Sequence, residues 1–187
     1  MRWFRFAVLY TALALGAIAA YNYTFITDPE TLREGSMKKL VFHSAPRDVS
    51  QVTFTDPEGG EHQLADWQGK YVAVNFWATW CAPCRKEMPS LDALQGEFGG
   101  ENFEVVTIAT GRNTLPAISR FFEEAGVAQL PILLDPKLEL AREMAVLGLP
   151  ITVILNPEGR EIARLRGDAD WYSDSAREII AALIGGN

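Results

Sequence analysis

Hydrophobic residues fall along this chain in three successive rhythms. From Phe6 to Ala20 no charge occurs, only Arg2 and Arg5 precede the run, and apolar character continues through Tyr21, Tyr23, Phe25 and Ile26. A stretch with no polar face predicts a membrane-directed segment rather than a buried globular helix. From Thr27 to about Val49 the rhythm is lost among Asp-Pro, Gly-Ser and Ala-Pro breaks, which predicts a linker over 27–48. Strand and helix periods then alternate. Gln51–Thr55 alternates Val52 and Phe54 with polar neighbours ahead of Asp-Pro-Glu-Gly-Gly, a hairpin signal near the start of the domain. Tyr71–Trp77 and Phe103–Ala109 are continuous apolar runs, as expected of strands covered on both faces, and Leu130–Leu134 is a third candidate. Helical spacing marks Cys81–Phe98, Leu115–Ala125, Leu138–Val146 and Ser173–Ile184. Ile151–Leu155 and Glu161–Leu165 flank Asn-Pro-Glu-Gly-Arg as an antiparallel hairpin. The pattern predicts an α/β fold over 49–187: a three-layer sandwich, its mixed central sheet carrying helices on both faces.

The first 26 residues admit two outcomes. Ala17-Ile18-Ala19 is a small-x-small triplet that a signal peptidase would cut near Ala19, leaving a soluble exported domain. As a helix, Trp3–Ile26 would run about 36 Å, enough to span a bilayer, with Trp3, Phe4, Tyr21 and Tyr23 at its ends. Either way the remainder lies outside the cytoplasm. A length of 187 residues, 48% apolar and 22% charged, fits one domain with a genuine core and excludes a disordered chain, a fibrous repeat and a disulfide-dense miniprotein. The net charge of −7 becomes two units more negative once Arg2 and Arg5 are set aside. That excludes a nucleic-acid partner.

Trp80-Cys81-Ala82-Pro83-Cys84 stands where the Tyr71–Trp77 strand gives way to a helix. A thiol at a helix N-terminus faces unpaired N–H groups and the positive end of the dipole, which stabilise its thiolate. Cys81 takes that place, exposed, as the nucleophile. Cys84, three residues on and on the same side, is the resolving thiol, so attacking and resolving sulfurs share one turn. Structural zinc would need four ligands, and only His43 and His62 could supplement the pair, without finger spacing. Both histidines are expected to be exposed and idle, and no metal site is expected. A different use of the same cysteines, holding Cu(I) as a metallochaperone, suits soft thiolates but finds no methionine cluster or nearby histidine. Gly148-Leu149-Pro150-Ile151-Thr152 places a proline where a strand starts, or where a cis bond is needed.

Together these elements resemble the thioredoxin superfamily, and more narrowly its TlpA/ResA-type branch of exported thiol–disulfide interchange proteins. Asn75-Phe76-Trp77-Ala78-Thr79-Trp80-Cys81-Ala82-Pro83-Cys84-Arg85-Lys86-Glu87-Met88-Pro89 is similar to that branch's signature nearly word for word, and the likeness covers about 49–184. The 65 residues between Cys84 and Pro150 leave room for the strand–helix segment the branch inserts. The resemblance implies a thioredoxin-like fold and a protein-disulfide reductase with no cofactor beyond a redox-active Cys81–Cys84 disulfide. It implies a cis Pro150 facing that disulfide and, with Leu149, offering backbone to a client. Trp80, beside Ala82 and Pro83, would form the rest of the docking surface. Pro89 would kink the first helix. Glu87 matches an acidic residue that influences the cysteines' protonation, unless it is a solvated carboxylate on the helix surface. Asn75 stands where ordinary thioredoxins carry a buried aspartate, so that proton relay is absent. Expected partners are disulfide-bearing client proteins, such as apocytochromes c or copper-site proteins, and a membrane thiol carrier as reductant. The expected place is the periplasmic side of the bacterial inner membrane, as a monomer anchored through residues 3–26.

Overall fold

A computed structural model describes residues 28–186; the expectations for residues 1–26 lie outside them. Eight strands form one mixed sheet in the order β1-β8-β7-β4-β5-β6-β2-β3. They are β1 (Leu40–Arg47), β2 (Phe54–Thr55), β3 (Glu61–His62), β4 (Tyr71–Trp77), β5 (Phe103–Thr110), β6 (Leu133–Asp135), β7 (Ile151–Leu155) and β8 (Glu161–Arg166). The helices are α1 (Ala82–Phe98), α2 (Leu115–Ala125), α3 (Glu139–Glu143) and α4 (Asp174–Gly185). β4 and β5 run parallel at the centre, with Val74 beside Val106, and β7 lies antiparallel on the other flank of β4, with Val153 beside Val74. Both are continuous apolar runs because both faces of the sheet are covered. On one face α1, α2 and α4 bring Met88, Leu91, Ile118, Phe122, Ile179 and Leu183 onto Ala73, Trp77, Phe103 and Val105. On the other, α3 and the turn at Leu64–Trp67 cover Val72, Val74, Phe76, Val106 and Val153. The thioredoxin-like three-layer sandwich stands. Between α1 and Pro150 the chain fits two strand–helix units, β5–α2 and β6–α3.

The expected N-terminal hairpin is β2–β3, which extends the sheet through Thr55 beside Leu134. Its turn is held by Asp56 Oδ1, which accepts from the Glu58 and Gly60 amides at 3.0 and 2.7 Å, and Gly59 takes φ +87°. Several elements are shorter than their apolar patterns. β2 holds only two residues of Gln51–Thr55. β6 starts after Pro131, which has no N–H for a ladder. α3 stops at Glu143, since Ala145 turns to φ +51°.

The linker expected over 27–48 is mostly folded. Two single-turn helices, Pro29–Leu32 and Gly35–Lys39, lead into β1, which pairs antiparallel with β8 and closes that edge of the sheet. Met37 and Leu40 are fully buried in the main core, and Ser175 Oγ clamps the arm by donating to Leu32 O at 2.7 Å and accepting from the Glu34 amide at 2.9 Å. Two isolated apolar anchors make no period, and an edge strand tolerates Pro46, so the usual signals are missing here. Met37→Ala is therefore expected to cost about 2–5 kcal/mol, read as a fall in the urea midpoint of the full chain. A loose arm would show no change.

Candidate active site

β4 delivers the site. Trp77, packed between Phe121 and Phe122 at 5.6 Å from each, fixes the end of the strand. The chain then crosses Ala78–Trp80 to Cys81, the N-cap of α1, and a disulfide joins Cys81 to Cys84 across a Cα separation of 5.3 Å. Cys81 Sγ accepts from the Cys84 amide at 3.3 Å. Pro83 sits in the first turn, where a missing N–H costs nothing. Pro89 lies inside α1 and leaves the Arg85 carbonyl without its helical donor. Cys84 is completely buried and Cys81 is 5% exposed. Cys81, expected to be exposed, is thus nearly buried. Trp80, Ala82 and Pro83 are exposed around it, the indole at 67%.

Glu87 is no surface carboxylate. It is 2% exposed beneath α1, one helical turn beyond Cys84. Its Oε1 accepts from Asn75 Nδ2 at 2.8 Å, and its Oε2 accepts from the Ala169 amide at 3.0 Å and Trp171 Nε1 at 3.3 Å. Burial pushes its carboxyl up to about 7, although the three donors pull the other way. Asn75 Nδ2 also donates to Thr152 Oγ1 at 2.8 Å, and Asn75 Oδ1 is left buried with no partner among the described residues. Trp171 is buried in the core and is also a donor to Glu87. A tryptophan far along the chain carries no sequence signal of that role. Nor does Asn113, whose Oδ1 accepts from the Thr79 amide at 2.8 Å and so pins the loop leading into Trp80-Cys81.

The Leu149–Pro150 bond is cis, Pro150 is buried, and its carbonyl accepts from the Gly167 amide at 2.9 Å. Leu149 and Trp80 do come together. With Arg112, Leu138, Val146 and Leu147 they line a mainly apolar groove of about 540 Å³. Leu147 stands 96% exposed on its rim, and Leu138 takes φ +62° against Gly111. Pro150, Ala82 and Pro83 are not among the groove's lining.

The histidines are not idle. His43 Nε2 lies 2.8 Å from Glu161 Oε1, both side chains nearly buried, and Arg164 binds the same carboxylate through two nitrogens at 2.8 and 2.7 Å. Burial works to raise the Glu161 carboxyl, but hydrogen bonds from Arg164 and His43 hold it below its ordinary value. Arg164 also donates to Met144 O at 2.8 Å, tying the segment after α3 to β8. His62 is half-buried against Asp56 at 3.1 Å. Among the described residues, no group of three or more His, Cys, Asp or Glu side chains gathers as a metal site.

Known proteins share both the sequence and the fold. Residues 45–162 match the AhpC/TSA family. The thiol-disulfide oxidoreductase ResA of Geobacillus kaustophilus is 33% identical over 156 residues, 81% of this chain and 82% of the relative. That of Bacillus subtilis is 30% identical over 161 residues, 84% of this chain and 83% of the relative. Among solved structures, a DsbE-type thiol:disulfide interchange protein from Chlorobium tepidum superposes with a TM-score of 0.66 at 23% identity, covering 75% of this chain and 97% of its own. A cysteine pair at the head of α1, on a thioredoxin-like sandwich shared with these relatives, carries thiol–disulfide exchange, and the chain belongs to the AhpC/TSA family as a ResA/TlpA-type thiol–disulfide oxidoreductase of the thioredoxin superfamily.

Proposed function

We propose that the chain reduces disulfides in exported client proteins. One observation carries this reading: of the two cysteines, only Cys81 keeps any exposure, and the exposed Trp80 beside it forms one wall of an apolar groove. In the reduced enzyme the Cys81 thiolate attacks one sulfur of the client disulfide. A mixed disulfide forms and the first client thiolate leaves. Cys84, deprotonated, then attacks Cys81 Sγ, closing the Cys81–Cys84 bond and releasing the second client thiolate. Two electrons pass to the client, and Glu87, buried one helical turn beyond Cys84, is the carboxyl to hold the proton that Cys84 gives up. Trp80, Ala82, Pro83 and the Leu149–Pro150 pair form the docking surface. Because Gly167 occupies the Pro150 carbonyl, main-chain contact falls to Leu149. A membrane thiol carrier re-reduces the pair on the periplasmic side of the inner membrane, where residues 3–26 hold the chain as a monomer. Apocytochromes c and copper-site proteins are the client classes this placement suits. No helix among the described residues is long and apolar enough to cross a membrane.

The test of direction is equilibration of the full chain in glutathione buffers, scoring free thiols. A reductase is expected to show a potential below roughly −260 mV. A value near about −120 mV, that of a dedicated oxidant, overturns the proposal. Failure of the pair to exchange at all turns the question to Cu(I) binding.

A further inference from the structure

The two faces of the sheet are not equally covered at its β1–β8 edge. On the face that α3 protects over the central strands, the edge is only partly covered: His43, Glu161 and Arg164 are packed against the segment after α3, whereas Val41, Arg47 and Arg166 are open. Val41 stands opposite Arg164 in register and is 56% exposed. Lys39, Val41, His43, Arg47, Arg164 and Arg166 line a recess of about 390 Å³ there. The carboxylates facing it are already engaged. Glu161 lies buried and held by His43 and Arg164, and Asp168, at the Lys39 end, pairs with Lys86 at 3.0 Å and Lys39 at 3.8 Å. Beyond Arg47, Asp48 pairs with Arg160 at 3.2 Å. Arg47, Arg166 and the adjoining Lys38 have no acidic partner among the described residues. In a chain of net charge −7, cations are thus gathered on one side.

We infer that this open β1–β8 face docks on anionic lipid headgroups. Charge complementarity admits any anionic surface, but the chain's own path selects the membrane. The apolar segment ends at Ile26, and the arm is clamped at Leu32 by Ser175 of α4, on the other face of the sheet, before it turns onto the β1 edge. Residues 27–31 reach at most ~18 Å even when fully extended. The linker that would have let the domain wander is folded, and it leads through Lys38 and Lys39 directly into β1. The bilayer is therefore the nearest anionic surface, and the basic recess with its exposed valine suits phosphate groups over an apolar interface. The orientation serves the enzyme. Leu40 pairs with Leu165, which pairs with Thr152, so the Lys39 end of the face shares the sheet end where Pro150 and the disulfide lie. Docked by this edge, the disulfide sits beside the bilayer, within reach of a membrane-embedded reductant. This step rests on the membrane anchoring proposed above.

The experiment reconstitutes the full chain into vesicles of phosphatidylcholine alone or with phosphatidylglycerol, then follows flotation and amide exchange in residues 39–47. Flotation with neutral vesicles reads the anchor. Slower exchange in β1 only with anionic lipid reads the face, and it should vanish in high salt. In Arg47→Glu/Arg166→Glu, the anionic-lipid protection is expected to fall at least tenfold. Its melting temperature and its exchange with a small disulfide should stay unchanged. If the anchor does not insert, the intact face still predicts flotation with anionic vesicles alone. Equal β1 exchange in both lipids overturns the inference. Protection that persists in neutral lipid and resists salt also overturns it, and assigns the edge to a protein partner.

Discussion

Cys84→Ser should capture the client and Cys81→Ser should not. With Cys84 replaced, Cys81 still sits at the N-terminus of α1 and still attacks, but no second sulfur lies within one turn to release the product. A covalent adduct through Cys81 is expected to accumulate, visible on a non-reducing gel and cleared by dithiothreitol. With Cys81 replaced, the remaining thiol is completely buried, and turnover is expected to fall roughly 10³-fold or more, to background. The asymmetry follows from access: 5% against none is a small difference in area, but a client sulfur must approach in line with the bond it breaks. Equal trapping by both variants would mean that α1 opens during exchange and that the roles of the two cysteines are not set by burial.

The parts of this molecule visible in its sequence are those that obey one rule at a time. β4 and β5 are unbroken apolar runs, α2 carries its apolar face at helical spacing, and the cysteine pair falls at a strand-to-helix junction, so each was readable alone. The arm before β1 was not, because Met37 and Leu40 are held by a tertiary core rather than by a local period. The same limit hides the site's second layer. Glu87 has its donors from Asn75, twelve residues earlier, and from Ala169 and Trp171, more than eighty later, a convergence that only the folded sheet produces. His43 and Glu161 likewise meet across 118 positions. A histidine within an irregular edge strand reads as solvent-facing until β8 is laid beside it.

Glu87 makes the oxidised chain less stable as pH rises. In the unfolded chain its carboxyl ionises near 4.5, and in the fold only near about 7. Between those values the fold holds a proton that the unfolded chain has lost, so stability is full below 4.5 and declines as pH passes through 7, by roughly 3 kcal/mol in all. The neighbours are built for both states. As a carboxylate, Glu87 accepts from Asn75 Nδ2, and Asn75 Oδ1 is orphaned. Once protonated at Oε1, it needs an acceptor at the same place, and a flip of the Asn75 amide supplies Oδ1 to both Glu87 and the Thr152 hydroxyl. Glu87→Gln mimics that neutral state, with the same flip and the same packing. Urea midpoints of the oxidised variant are therefore expected to stay nearly flat from pH 5 to 8, while those of the native chain fall. Superimposable pH curves would show that the carboxyl titrates in its ordinary range. The functional counterpart lies in the resolving step: a carboxyl that changes state near neutrality, one turn from Cys84, is suited to take that thiol's proton. Without it, the mixed disulfide should persist roughly a hundredfold longer near pH 7, and the deficit should shrink at alkaline pH, where hydroxide takes the proton of Cys84 instead.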